Sequence, residues 1–287
     1  MNNVLQELEK LTPLGVCVHN TKFAIYTTDA KTSPAIIMAI GSERKKSFEK
    51  VGVVVDSALD LDDFDIINSE YQQSQMFIWD TEKQQIVGGY RYSYNADVPP
   101  EYSPMGKYFT FTQQFKQENW IHLGRSFLSI EYQQSRYGIL ALMDGLGCLF
   151  AKAESPMGFF GKITIPNAYG EATDFLVAFC KRFWIDGTPL GSVQKDHEKN
   201  VSEMAGFIME HFRGDYKEVT NFLKEKYERP GLPILRMYDS LAQSFGSIHF
   251  LGAFVHQEFG GATEVGMAIA KGNLSSQAFE TYIQPYM

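Results

Sequence analysis

Residues 74–94 read SQMFIWDTEKQQIVGGYRYSY, and this stretch restricts the fold more than any other. Two runs rich in β-branched and aromatic residues, Ser74–Asp80 and Gln85–Tyr94, flank a polar turn at 81–83. That pattern predicts an antiparallel hairpin of two long strands. A further strand is expected at 120–130 (WIHLGRSFLSI), then a helix at 138–153, a strand at 161–165 and an apolar-rich helix at 169–183. Upstream of the hairpin the periodicity gives a short amphipathic helix at 3–11 and a strand at 22–27, and 34–40 leads into the basic cluster at 44–50, around which a helix is expected. Downstream come one or two amphipathic helices within 201–227 and late strands at 246–255 and 264–270. Long strands alternating with helices, with hairpins early, indicate an α+β (mixed α/β) fold rather than a doubly wound sheet. The polar segment 186–200, with Gly187, Pro189 and Gly191, is the nearest thing to punctuation. The expectation is one domain over 1–287, with room for a helical insertion or sub-lobe at about 186–230.

Composition excludes several functions. The 287 residues are 44% hydrophobic, enough for a large core, and 26 basic against 34 acidic side chains give a net charge of −8. A nucleic-acid reader working by bulk charge is excluded, because that field repels a polyphosphate. Cys17, Cys148 and Cys180 are scattered in apolar surroundings and read as small buried hydrophobes in a reducing compartment. The first residues lack a basic start and apolar run, and the longest nearly apolar stretch, 139–151, is broken by Asp144 and short of the ~20 residues of a membrane span. A cytoplasmic protein is therefore expected. The sequence carries no GxxxxGK[ST] loop, HExxH, GxSxG or paired CxxC. Its six histidines show no metal-ligand spacing, so neither a metal nor a permanently bound redox cofactor is expected.

The most informative local event is the strand–loop–helix unit over 120–152. A helix that opens after a flexible turn offers unpaired backbone N–H groups to an anion such as a pyrophosphate. Strand alternation puts His122 on the face of Gly124 and Ser126, opposite Arg125, unless a bulge re-aims them. His122 reads either as a general base or as a satisfied, half-buried histidine. The acidic run at 60–65 (DLDDFD) reads on its own as a solvated turn, and Arg44, Lys45, Lys46 and Lys50 as a solvated helix face.

Taken together, WIHLGRSFLSIEYQ, DLDDFD and FIWDTEKQQIVGGYRYSY resemble the GNAT-superfamily N-acyltransferases. The nearest branch is the hemolysin-like one that makes N-acyl-ornithine or N-acyl-glycine for aminolipids. The order of motifs is similar to that of the acyl-homoserine-lactone synthases: an acidic D-x-(F/Y)-D, an arginine after a V-G-G/C strand, and an E-x-x-R strand. The likeness continues in 229–247 (RPGLPILRMYDSLAQSFGS), 256–270 (HQEFGGATEVGMAIA) and 281–283, and so spans about 20–285. Here the E-x-x-R strand has His122 in place of the glutamate, with Arg125 kept. The phosphate loop QQSRYGIL lacks a second glycine after Gly138.

The resemblance implies a central twisted mixed sheet flanked by helices. It implies transfer of a long-chain acyl group from acyl carrier protein to the α-amine of an amino acid such as glycine or ornithine. The donor would be acyl-carrier-protein thioester or acyl-CoA as co-substrate, and a lyso-aminolipid product would bring peripheral contact with the inner membrane. His122, Arg125 and Glu264 are the implied catalytic residues, the histidine and Glu264 as base candidates. Asp62, Asp65, Arg91, Ser126 and Phe127 would bind substrate, and Gln133, Arg136 and Gly138 the donor's phosphate. Arg125 would either hold an acceptor carboxylate or pair with Asp62 or Asp65, with Arg91 on the same aspartates. Phe109, Phe111, Phe127, Leu128, Ile139, Leu142 and Met143 are candidate walls for the acyl chain, and the basic cluster at 44–50 a dock for the acidic carrier protein. The same features leave room for an acyl-CoA-dependent enzyme acting on a small amine, or a non-catalytic acyl- or lipid-binding protein.

Overall fold

The computed structural model describes residues 2–50, 57–66, 70–184, 189–227 and 247–287. In chain order its main elements are α1 (Asn2–Leu8), β1 (Gly15–Val16), β2 (Phe23–Thr28), α2 (Pro34–Lys50), β3 (Ser74–Asp80), β4 (Gln85–Tyr94), β5 (Phe109–Phe111) and α3 (Gln113–Gln117). There follow β6 (Trp120–Leu128), α4 (Arg136–Lys152), β7 (Gly158–Ile165), α5 (Ala172–Phe183), β8 (Gly191–Val193), α6 (Ser202–Phe212), α7 (Tyr216–Tyr227), β9 (His249–His256) and β10 (Ala262–Ala270). Eight strands form one sheet in the order β1-β2-β3-β4-β6-β7-β10-β9, and β5 pairs with β8 in a separate small ribbon. The fold is thus α+β, with a large, mostly antiparallel sheet flanked by helices.

The hairpin β3–β4 has the bounds its sequence predicts. The long helices differ from expectation mainly at their first residues: α4 starts at Arg136 rather than 138, and α5 at Ala172 because Asn167–Tyr169 forms a separate 3-10 turn. Strand β7 begins three residues before the predicted start. The two-residue β1 and the three-residue β5 and β8 are too short for a period-2 pattern, so nothing in the sequence announced them. The likeness at 229–247 lies outside the described residues except for Ser247.

Helix α2 shows how the sheet acquires its charged centre. Pro34 occupies the first helical turn, where a missing N–H costs nothing, and Glu7 of α1 accepts from the free N–H groups of Ala35 and Ile36 at 3.1 and 2.9 Å. The helix then buries Ile36, Ile37, Ile40, Gly41, Arg44 and Ser47, a stripe at helical spacing. Arg44 is on that stripe and fully buried. The basic cluster is therefore not a surface patch of four: Lys45 and Lys46 pair with Glu49 and Glu43 on the solvated side, while Arg44 points into the protein. Cys17, Cys148 and Cys180 are buried free thiols. Among the described residues, no helix is long and apolar enough to cross a membrane.

Candidate active site

Strands β6 and β7 form the parallel pair in the large sheet, and they pair over four positions only: Trp120 with Gly158, Ile121 with Phe159, His122 with Phe160 and Leu123 with Gly161. Beyond Leu123 and Gly161 both strands continue, β6 to Leu128 and β7 to Ile165, each still paired to its outer neighbour β4 or β10. The sheet therefore parts at its centre. A parted sheet leaves backbone N–H and C=O groups on the facing edges for a ligand to satisfy.

A bulge shapes the β6 side of this opening. Gly89 faces Phe127 and Arg91 faces Gly124, so Arg125 and Ser126 together oppose Tyr90. Arg125 has φ +51°, a left-handed conformation that a residue with a side chain adopts at a cost. The bulge resets the alternation, and the Arg125 guanidinium meets Asp62, which Arg91 also meets. It also turns Phe127 into the apolar cluster with Phe77, Ile40 and Trp79. Phe127 is thus core rather than a substrate contact. Ser126 stays exposed and hydrogen-bonds Tyr90.

Three arginines and three aspartates close a ring around the site. Arg44 meets Asp65 at 2.8 Å and Asp60 at 3.0 Å. Arg125 meets Asp60 at 2.8 Å and Asp62 at 3.0 Å, and Arg91 meets Asp62 at 2.5 Å and Asp65 at 2.9 Å. Each charge touches two of opposite sign, so the group is neutral despite its burial. Burial works against the charged form of Asp62, but Arg91 and Arg125 outweigh it and hold the carboxyl well below the usual carboxylate range. The ring opens to solvent at one corner: the Arg125 and Asp62 side chains are 25% and 32% exposed, whereas those of Arg44 and Asp65 are sealed. Gln75 donates to Asp65 at 2.7 Å. Sequence reasoning brought Asp62, Asp65, Arg91 and Arg125 together, and missed Arg44, Asp60 as a partner, Gln73 and Gln75. For Arg44 the signal was present in its spacing from Ile37 and Ile40.

His122 is behind this ring and does not open to solvent. Its Nδ1 is 2.9 Å from the Gln73 amide nitrogen, which also donates to Ser93 at 2.8 Å, and its ring packs on Phe160. Burial, with Arg91 and Lys162 adding, pushes the imidazole down to about 3. The geometry makes it a neutral packing residue rather than a proton acceptor. Glu264 is 4% exposed and contacts Lys162, His256 at 3.4 Å and Thr164 at 3.4 Å. Burial opposes its charge, but His256 and Lys162 prevail and pull its carboxyl down to about 2, which makes it a counter-ion and a feeble base.

At the far end of β6 the Gln133 side chain is committed internally, to the Ser47 hydroxyl and the Leu128 carbonyl, both at 3.1 Å. Gly138 is buried against the Tyr132 carbonyl, where a Cβ would come within 2.5 Å. Arg136 is exposed in the first turn of α4 and free to meet an anion. The proposed acyl-chain walls do not converge. Phe109 and Phe111 join one cluster, Leu128 and Leu142 a second, Phe127 a third and Met143 a fourth, while Ile139 is 59% exposed. Apart from exposed Ile139 they are packed in the core, and apolar side chains look alike in sequence whether they line a pocket or fill a core. A small apolar cavity exists elsewhere, between Met143, Leu146, Phe159, Leu274, Tyr282 and Ile283, and shares only Met143 with that set.

Comparison with known proteins agrees with this geometry. A family model described as an acetyltransferase (GNAT) domain matches residues 44–143, from Arg44 on α2 to Met143 on α4. All six members of the charge ring fall inside it. The chain carries a GNAT domain on an α+β sheet and is an acyltransferase. At the level of single proteins, it is similar to a glycine N(alpha)-acyltransferase of Phocaeicola vulgatus, with 28% identity over 92% of this chain and 84% of the relative. It is likewise similar to a glycine N(alpha)-acyltransferase of Bacteroides thetaiotaomicron, with 28% identity over 92% of this chain and 82% of the relative.

Proposed function

We propose that this protein moves a long-chain fatty acyl group from acyl carrier protein to the α-amine of glycine, forming an N-acyl amino acid. The parting of β6 from β7 carries the reading. A pantetheine arm is a narrow, amide-bearing chain, and it would satisfy the unpaired edge beyond Leu123 and Gly161 as a strand would. A backbone N–H on that edge would polarise the thioester carbonyl as negative charge develops on its oxygen. The first turn of α4, with exposed Arg136, follows β6 by eight residues and would receive the arm's phosphate. The open corner of the charge ring supports an amino-acid acceptor: Arg125 offers a cation to a carboxylate and Asp62 an anion to an ammonium, a match for a zwitterion. The names of the relatives favour glycine among such acceptors.

Incubation with palmitoyl-carrier protein or palmitoyl-CoA and a panel of amino acids, followed by mass spectrometry, tests this directly. The expected product is N-palmitoylglycine, formed faster from the carrier protein. Acylation of a small amine from CoA thioesters alone, or saturable acyl binding without turnover, would contradict it.

A further inference from the structure

Attack by an amine on a thioester requires a proton acceptor, and His122 and Glu264 are both sealed and engaged. A third group stands beside them. Strand β9 is antiparallel to β10, which is antiparallel to β7, so β9 runs parallel to β7 and ends where the sheet parts. Its last residue is His256. The register pairs Glu264 with both Phe254 and Thr164 and His256 with Ala262, which puts His256, Glu264 and Lys162 on the face where His122 packs on Phe160. His256 Nδ1 is 3.4 Å from Glu264 Oε2, and that nitrogen is buried, while the side chain as a whole is 17% exposed. With Nδ1 sealed against Glu264, Nε2 is the ring nitrogen left to meet a solute. The ring is walled by Tyr108 at 5.1 Å, Phe254 at 5.6 Å and Phe259 at 5.7 Å. Phe259 in turn lies 5.6 Å from the Arg125 guanidinium, at the open corner of the charge ring.

We propose that His256 is the general base of the transfer and that Glu264 positions it. The assignment rests on the acyl-transfer reading above. The acceptor's ammonium first loses a proton to solvent. As its nitrogen bonds to the thioester carbon, His256 Nε2 takes one of the two remaining protons. The carbon–sulfur bond breaks, and the imidazolium returns that proton to the departing thiolate, so amide, free thiol and neutral histidine result. Glu264 fixes the ring and stabilises its transient charge, as a buried carboxylate does for a catalytic imidazole. Lys162 ties Glu264 in place from β7. Among the described residues, the other titratable groups on this side include His122 against Phe160 and Tyr108, with His197 and Lys107 against the Tyr108 ring.

Steady-state kinetics of the full chain with palmitoyl-carrier protein and glycine tests the assignment. His256→Gln should lower kcat by at least about 100-fold, the usual weight of a general base, with the donor KM within about twofold. Imidazole added to His256→Ala should restore part of the rate, and Glu264→Gln should lower kcat less than His256→Gln. Should the variants fold poorly, inactivation of the wild-type protein by diethyl pyrocarbonate should track modification of His256 by peptide mass spectrometry, and inactivation without it contradicts the assignment. An active wild-type protein whose His256→Gln variant keeps its kcat overturns the role of His256 alone. A wild-type protein that acylates no amine overturns the acyl-transfer reading and this assignment with it.

Discussion

The charge ring has two unlike corners built from the same chemistry. Arg44 and Asp65 are sealed under α2, in contact with Gln75 and the 57–66 segment, and solvent reaches neither. Arg125 and Asp62 form the same kind of pair, but at the bulge on the parted strand and with a quarter to a third of each side chain exposed. A buried pair contributes by not being broken: its charges are already desolvated, and loss of one leaves the other stranded. A partly exposed pair contributes less to stability, because water replaces a lost partner in part, yet among the described residues it is the corner of the ring that opens to solvent. The sealed corner thus holds the fold, and the open corner is the one proposed to meet substrate.

Removal of the sealed cation is the harshest way to test that division. Arg44→Ala should cost roughly 3–5 kcal/mol in chemical denaturation, because Asp60 and Asp65 each lose a partner inside the protein; a loss below about 1 kcal/mol would show that the ring is not a structural unit.

Acid comes next in size. His122 is held down to about 3 in the folded protein and titrates near 6.5 when unfolded. Between those values the unfolded chain binds one more proton, so stability is present above pH 6.5 and falls as pH drops through the window, by about 3 kcal/mol between pH 6.5 and 4. His122→Gln should flatten that slope in pH-dependent urea unfolding, and an unchanged slope would mean that the imidazole is not sealed. Asp62 and Glu264, whose carboxyls are depressed, add to the loss only below their unfolded values near 4, with the same sign.

At the open corner, Arg125→Ala should lower acyl transfer by about 100-fold, equivalent to roughly 2.7 kcal/mol, while stability falls by less than in Arg44→Ala, because Asp60 keeps Arg44 and Asp62 is in part hydrated. Equal losses from Arg44→Ala and Arg125→Ala in both assays would erase the distinction. The smallest effect belongs to Lys46→Ala on the outer face of α2, where loss of the Glu43 pair should change stability by under about 0.5 kcal/mol.

How far this was legible in the sequence follows from the range of the forces involved. The hairpin β3–β4 could be read to the residue because period-2 patterning and a polar turn are local properties. The aspartates of 60–65 and the arginines 91 and 125 could be brought together only through likeness to other chains, since their contacts span 26 to 65 positions. Arg44 hid in plain view: a run of basic residues suggested a surface, although the i, i+4 step from Ile40 put it on the buried stripe. The bulge at Arg125 left no local mark, because no glycine provides its left-handed backbone. His256 was passed over because its chemistry depends on Glu264, eight positions away and on another strand.

A crystal structure with a hydrolysis-resistant thioether analogue of the palmitoyl donor would show whether the donor enters where β6 parts from β7. The pantetheine arm should thread between residues 124–128 and 162–165, hydrogen-bonded to the β6 edge, with its phosphate at the first turn of α4. An arm bound elsewhere, or β6 and β7 paired continuously past Leu123 and Gly161 with the analogue present, would contradict it.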